Sequence, residues 1–94
     1  MKIISWNTRG LNGLVKQRLL KRKLQQEKPD IMLIQETKCA TAQLENITRK
    51  LGKTIKYIDI ASQGWEGGIA TLWDSSVIEI TSMEATRSYI ATEF

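Results

Sequence analysis

The chain has 94 residues, 41% of them hydrophobic and 26% charged, with a formal charge of +4, which makes it one small domain at most and not a disordered segment. It contains no histidine, which excludes Ser-His-Asp and Cys-His catalysis, histidine-based zinc sites and a histidine general base. The single cysteine, Cys39, cannot form an internal disulfide. No apolar run approaches the roughly 18 residues of a membrane span, and Ser5, Trp6, Asn7 and Arg9 stand where a signal peptide needs an apolar stretch, so an intracellular protein without a membrane anchor is expected.

The first predicted element is a buried strand, Lys2 to Asn7, with β-branched Ile3 and Ile4 and aromatic Trp6. A turn-rich loop follows, Thr8-Arg9-Gly10-Leu11-Asn12-Gly13; its two glycines match neither a Walker A loop nor a dinucleotide fingerprint. From Leu14 to about Lys28 the spacing of Val15, Leu19, Leu20 and Leu24 predicts an amphipathic helix, which Pro29 ends. Residues 1–28 carry eight of the fourteen Lys and Arg against Glu27 alone. That block either attracts a phosphate backbone or is a solvated helix face.

Ile31 to Glu36 is the second strand, five apolar or amide residues running into Glu36, Thr37 and Lys38. Strand, helix, strand with a connection of this length predicts a parallel βαβ unit, whose strand ends would bring Asn7 and Glu36 to one edge of a sheet. Thr41 is placed as the cap of a second helix reaching about Leu51, with Leu44, Ile47 and Leu51 on one face and Gly52 as its stop. Only strand text follows: Ile55 to Ala61, Ile69 to Trp73, Val77 to Glu84 and Tyr89 to Phe94, broken by Gln63 to Gly68 and by Asp74-Ser75-Ser76. Two helices and about six strands leave one sheet poorly covered, so the isolated chain is expected to be marginally stable or self-associating, as the front part of a larger domain would be.

Without histidine, chemistry falls to carboxylates, amides, Arg, Lys and a hard metal ion. Glu36 is read either as a solvated loop residue or as a carboxylate sharing the side of Met32 and Ile34, desolvated unless a cation such as magnesium satisfies it. Asn7 orients a water or a phosphate, or bonds its own turn.

Ser5-Trp6-Asn7 with Arg9-Gly10-Leu11, Pro29-Asp30-Ile31 with Gln35-Glu36-Thr37-Lys38, Gly67 to Trp73, and Arg87 to Phe94 together resemble the endonuclease/exonuclease/phosphatase superfamily. Within it they are most similar to the apurinic-endonuclease-like domain that opens LINE-type (non-LTR) retrotransposon polyproteins. The resemblance implies an α/β (α+β) fold: a truncated, four-layered DNase I-like sandwich, with residues 1–94 as the N-terminal part of a single domain and a mixed sheet with two helices. It implies a Mg2+-dependent (Mn2+-compatible) endonuclease hydrolysing phosphodiesters in DNA, with Glu36 as metal ligand and Asn7 and Glu36 as catalytic residues. Arg9, Lys38 and Trp65 become candidate nucleic-acid contacts, and the rest of the domain and a reverse transcriptase become partners in the parent polyprotein. The superfamily's downstream Asp-x-Asn and Asp-His elements have no counterpart in these 94 residues, so the chain alone is expected to be inactive. The rival reading is a basic nucleic-acid-binding or interaction module without catalysis.

Overall fold

The computed structural model describes residues 1–60, 67–80, 82–85 and 90–93. Eight elements run in the order β1 (Ile3–Asn7), α1 (Leu14–Glu27), β2 (Ile31–Gln35), α2 (Thr41–Arg49), β3 (Ile55–Ile60), β4 (Ile69–Asp74), β5 (Ser82–Ala85) and β6 (Ile90–Glu93). The first four strands form one mixed sheet in the order β1-β2-β4-β3, and β5 pairs with β6 in a separate two-stranded ribbon. β1 and β2 are parallel and in register from Ile3 opposite Ile31 to Asn7 opposite Gln35, as the crossover through α1 requires. β4 runs antiparallel to both β2 and β3.

The period of two sorts each strand into faces. Ile4 and Trp6 of β1, Met32 and Ile34 of β2, Ala70 and Leu72 of β4 and Ile55 and Tyr57 of β3 join Leu20 of α1 and Leu44 and Ile47 of α2 in one core. Both helices therefore cover the same face of the sheet. On the opposite face Ile31 is buried, but Ile3 and Leu33 remain exposed, and Ile90 of β6 shares a cavity with Leu33, Ile69 and Thr71. Among the described residues that face, away from the helices, is the less covered one. Its open edges are β1 and β3, whereas β4 lies inside the sheet.

Several expectations change in detail. α1 does not bury the stripe read from its spacing: Leu20 is fully buried, yet Val15 is 70% exposed and Leu19 stands at the surface. The inward face is centred on Leu20 and Leu24 and is completed by the stems of Lys16 and Lys23, whose ammonium groups lie 5.9 and 5.2 Å from the centre of the Trp6 ring. Long cationic side chains can cover an aromatic while keeping their charge wet, so the buried stripe need not be the most apolar one. The helix ends at Lys28 in the left-handed region, its N–H bonded to the carbonyl of Leu24 at 3.1 Å, with Pro29 next.

Thr41 is the first residue of α2 and not its cap. Ala40 holds the cap position, and the Gln43 side chain accepts its N–H at 2.8 Å, while the Thr41 hydroxyl donates to Asp59 at 3.1 Å. The helix stops at Arg49, two residues short of Leu51, and Gly52 follows at φ 146°. The strand expected from Val77 begins only at Ser82. The Asp74 carboxylate accepts the Ser76 N–H at 2.9 Å and its hydroxyl at 2.6 Å, and the Asp74 carbonyl takes the N–H groups of Val77 and Ile78, which turns the chain before any strand can form. Ala61, Tyr89 and Phe94, placed in strands by their sequence, lie outside the described residues.

The hydrogen bonds from Ser76 hold Asp74 below the ordinary carboxylate value of 3.8. A folded-state pKa below the unfolded one adds stability that is present above the unfolded value and lost as pH falls through the folded one. An acid titration followed by circular dichroism should therefore show less acid destabilisation below about pH 4 for Asp74→Asn than for the native chain. Parallel acid limbs for the two proteins would remove this turn from the account.

Candidate functional site

The rim where β1 and β2 both end is built by the parallel register. Thr8 N–H bonds the carbonyl of Gln35 at 3.0 Å, Gly10 N–H that of Glu36 at 2.8 Å and Leu11 N–H that of Thr37 at 2.9 Å, so the two post-strand loops run on side by side. On the other flank Thr37 and Lys38 donate to the carbonyls of Gly68 and Gly67 at 3.0 and 2.9 Å. The Thr8 hydroxyl, fully buried, donates towards the carbonyls of Gln35 and Glu36 at 3.2 and 3.0 Å. Lys16 reaches over from α1 to donate to the Thr8 carbonyl at 2.7 Å, and Asn12 bridges to the Lys38 carbonyl at 2.8 Å.

Three non-glycine residues in these loops are left-handed: Arg9 at φ 54°, Glu36 at 52° and Lys38 at 52°. Each costs on the order of 1–2 kcal/mol relative to the right-handed region. The consequence at Glu36 is geometric. A left-handed residue at a strand end breaks the alternation, so Thr37 and Cys39 turn inward and are buried while Glu36 is exposed. The carboxylate does not share the side of Met32 and Ile34, and its expected desolvation is absent. β2 ends one residue earlier than the sequence text, at Gln35.

Asn7, Arg9, Glu36 and Lys38 are therefore brought to one rim, all exposed. The Asn7 side-chain oxygen accepts the N–H of Arg9 at 3.1 Å, which fixes the loop, and among the described residues the amide nitrogen has no acceptor. Among the described residues the Glu36 carboxylate takes no hydrogen bond and no ion pair, so it presents both oxygens to solvent. Trp65 lies outside the described residues. Trp6, half-buried beneath two lysines, belongs to the core. Cys39 is buried, with its thiol directed at the Asn12 side-chain oxygen at 3.0 Å, and burial pushes its pKa up. It is a packing residue and not a nucleophile.

A hard divalent ion fits this donor set in kind, since Mg2+ needs one or two carboxylates and completes its shell with water and phosphate oxygens. Glu36 supplies the one carboxylate; among the described residues no group of three acidic or thiol ligands converges.

Sequence reasoning missed the scaffold: Thr8, Thr37, Lys16 and the carbonyls of Gly67 and Gly68. For Thr8 a signal existed, because it continues the even-numbered inward series Ile4 and Trp6 and so had to be a buried hydroxyl needing partners. For Thr37 none did, since the left-handed residue before it reverses the series.

The Endonuclease/Exonuclease/phosphatase family profile matches residues 4–90. Among solved structures the chain is similar to an AP endonuclease from Archaeoglobus fulgidus, with a TM-score of 0.68 and 21% identity over 89% of this chain and 30% of that one. It is also similar to a 3' phosphatase from Neisseria bound to product DNA hairpin, with a TM-score of 0.65 and 24% identity over 89% of this chain and 30% of the other. An AP endonuclease from Leishmania major shares 31% identity over 81% of this chain and 24% of its own, with a TM-score of 0.62. No curated protein matches. The chain spans less than a third of the length of these structures. With nearly its whole length matched by the family profile, the chain belongs to the endonuclease/exonuclease/phosphatase family.

Proposed function

We propose that these 94 residues are the opening part of a divalent-metal-dependent nuclease domain acting on DNA, of LINE-type retrotransposon descent, and that taken alone they do not cut. The observation that carries this reading is the rim itself: parallel register puts Asn7 beside Gln35, and the next residue, Glu36, is held exposed and left-handed, as are Arg9 in the neighbouring loop and Lys38 two residues on. Strain gathered at strand ends is a mark of sites where a side chain must be aimed. The DNA bound to the Neisseria relative supports DNA as the substrate class. The four sequence motifs in order support the retrotransposon origin, in which the remainder of the domain and a reverse transcriptase would belong to one polyprotein.

Each residue has a distinct task. Glu36 would hold Mg2+ or Mn2+, and such an ion when bound stabilises charge on the phosphate and on the leaving oxygen. Arg9 and Lys38 bring positive charge to the rim that carries Glu36 and attract a phosphodiester to it. Asn7, its oxygen already engaged by Arg9, donates its amide N–H to a phosphate oxygen and orients it. Trp65 is kept as a nucleic-acid contact, from the glycine-rich stretch of sequence before β4. The set contains nothing that can take a proton from the attacking water: histidine is absent, and Glu36 is committed to the ion. Groups that act as a unit fail together, so half the set gives little of the rate.

The rival, a basic binding module, is weakened by what α1 does with its lysines. Lys16 and Lys23 are engaged with Trp6, and Lys16 with the Thr8 carbonyl as well, so they build the rim more than they offer a free cationic face.

In a supercoiled-plasmid assay with Mg2+, the purified chain should nick no more than a buffer blank. Nicking that survives purification and vanishes in Glu36→Ala overturns the inactivity. In parallel, Mn2+ binding followed by water-proton relaxation should be measurable for the native chain and lost in Glu36→Ala; equal binding by the two removes Glu36 as the ligand.

A further inference from the structure

We propose that Lys16 is a positioning residue of the rim: from α1 it latches the Thr8–Arg9 peptide in the orientation that holds the Asn7 side chain by its oxygen, so that the amide nitrogen is the end offered to a phosphate. This rests on the reading of Asn7 as a phosphate donor and adds a residue that acts through it. The latch consists of two hydrogen bonds to the two ends of one peptide unit. The Lys16 ammonium donates to its carbonyl, that of Thr8, at 2.7 Å, and its N–H, that of Arg9, donates to the Asn7 side-chain oxygen at 3.1 Å. In a planar trans peptide the C=O and N–H point opposite ways, so holding one fixes the direction of the other.

The peptide needs a hold. Its flanks are pinned, Thr8 N–H on the Gln35 carbonyl at 3.0 Å and Gly10 N–H on the Glu36 carbonyl at 2.8 Å, but the unit between them can still turn over. Arg9 sits at φ 54°, a region that non-glycine residues seldom occupy, and turning the peptide over would carry Arg9 to negative φ and release the Asn7 oxygen. Asn7 supplies a local bond, of the kind an asparagine makes with its own turn. Lys16 supplies the hold from outside the loop, eight residues on, and its bond is charge-assisted. Thr8 is fully buried, and among the described residues no other donor reaches its carbonyl, so removing the ammonium leaves that oxygen without a partner where it stands. The ammonium itself is committed: it lies 5.9 Å from the centre of the Trp6 ring, on a half-buried side chain, and among the described residues no carboxylate pairs with it. Lys16 therefore acts through the peptide and is not a phosphate contact of its own.

The test is amide hydrogen exchange by NMR on the 94-residue chain and its variants. Lys16→Met keeps the stem beside Trp6 and removes the ammonium. In it the Arg9 N–H should exchange about tenfold faster or more and the Asn7 side-chain amide resonances should move, while the amides of β2 keep their protection. Lys16→Arg, which retains a charged donor, should return both signals towards the native ones. Lys21→Met, which removes the same charge from an exposed position of α1, should leave Arg9 as it was. An oligothymidylate titration then separates the latch from a direct contact: Lys16→Met and Asn7→Ala should each weaken binding, and together no more than Asn7→Ala alone, because residues acting as one unit do not add. Additive losses make Lys16 a phosphate contact in its own right and overturn the proposal. Native Arg9 exchange in Lys16→Met overturns it too, as does protection lost throughout the sheet, which would make the lysine a general packing residue. An oligothymidylate that the native chain does not bind refutes the reading of Asn7 instead, and the latch is still decided by the exchange of Arg9, which is measured without ligand.

Discussion

Leu20→Ala is expected to cost about 2–5 kcal/mol, as truncation of a fully buried leucine does, while Val15→Ala, nearer the start of the same helix, should stay within about 0.5 kcal/mol. The contrast comes from packing, since both residues fall on the apolar stripe that α1's sequence spacing suggests, yet Leu20 is fully buried and Val15 is 70% exposed. Leu20 is the residue of α1 wholly enclosed by the core, packed with Leu11, Met32, Leu44 and Leu72, and a domain of this size has on the order of 5–14 kcal/mol of total stability. Losing 2–5 kcal/mol of that should move the urea midpoint strongly, and should leave part of the chain unfolded in buffer. Equal midpoints for Leu20→Ala and Val15→Ala would mean that α1 is rotated from the orientation described, with Lys16 and Lys23 away from Trp6.

That helix shows where the sequence was legible and where it was not. Its existence, length and end were readable from the leucine spacing and Pro29, because periodicity and proline sterics act locally. Its rotation was not, because it depends on Trp6, a partner distant in sequence whose ring is covered by lysine stems. The parallel pairing of β1 with β2 followed from strand, helix, strand order, and with it the meeting of Asn7 and Glu36 at one rim. The turn at Asp74 was visible as a turn, but its reach to Ile78 was not, since it rests on one carboxylate and one carbonyl gathering three N–H groups. The candidate site was named by residue type, and its conformation stayed hidden. Nothing in Gln35-Glu36-Thr37 announces a positive φ, and a sequence reader extending the alternation of β2 puts Glu36 inside and Thr37 outside, the reverse of what the fold does.

That reversal carries the second large effect: at position 36, glycine should be more stable than alanine. In most places alanine is favoured over glycine by about 0.5–1 kcal/mol, because glycine loses more backbone freedom on folding. Glu36 sits at φ 52°, where any Cβ is penalised by about 1–2 kcal/mol and glycine is not. Glu36→Gly should therefore melt several degrees above Glu36→Ala, given the roughly 4–8 °C per kcal/mol expected of a domain this small. Both variants lose the carboxylate, so both should lose Mn2+ binding together. The two measurements separate two claims: Glu36→Ala melting above Glu36→Gly refutes the left-handed backbone, whereas Mn2+ affinity kept in Glu36→Gly refutes the ligand role. If both expectations hold, glutamate at this position is explained by neither local propensity nor packing. Its side chain is exposed, makes no hydrogen bond among the described residues and occupies a conformation that favours glycine. What remains to account for it is a carboxylate delivered to the rim, aimed by a strained backbone that Thr8 and the flanking Gly67 and Gly68 carbonyls hold in place.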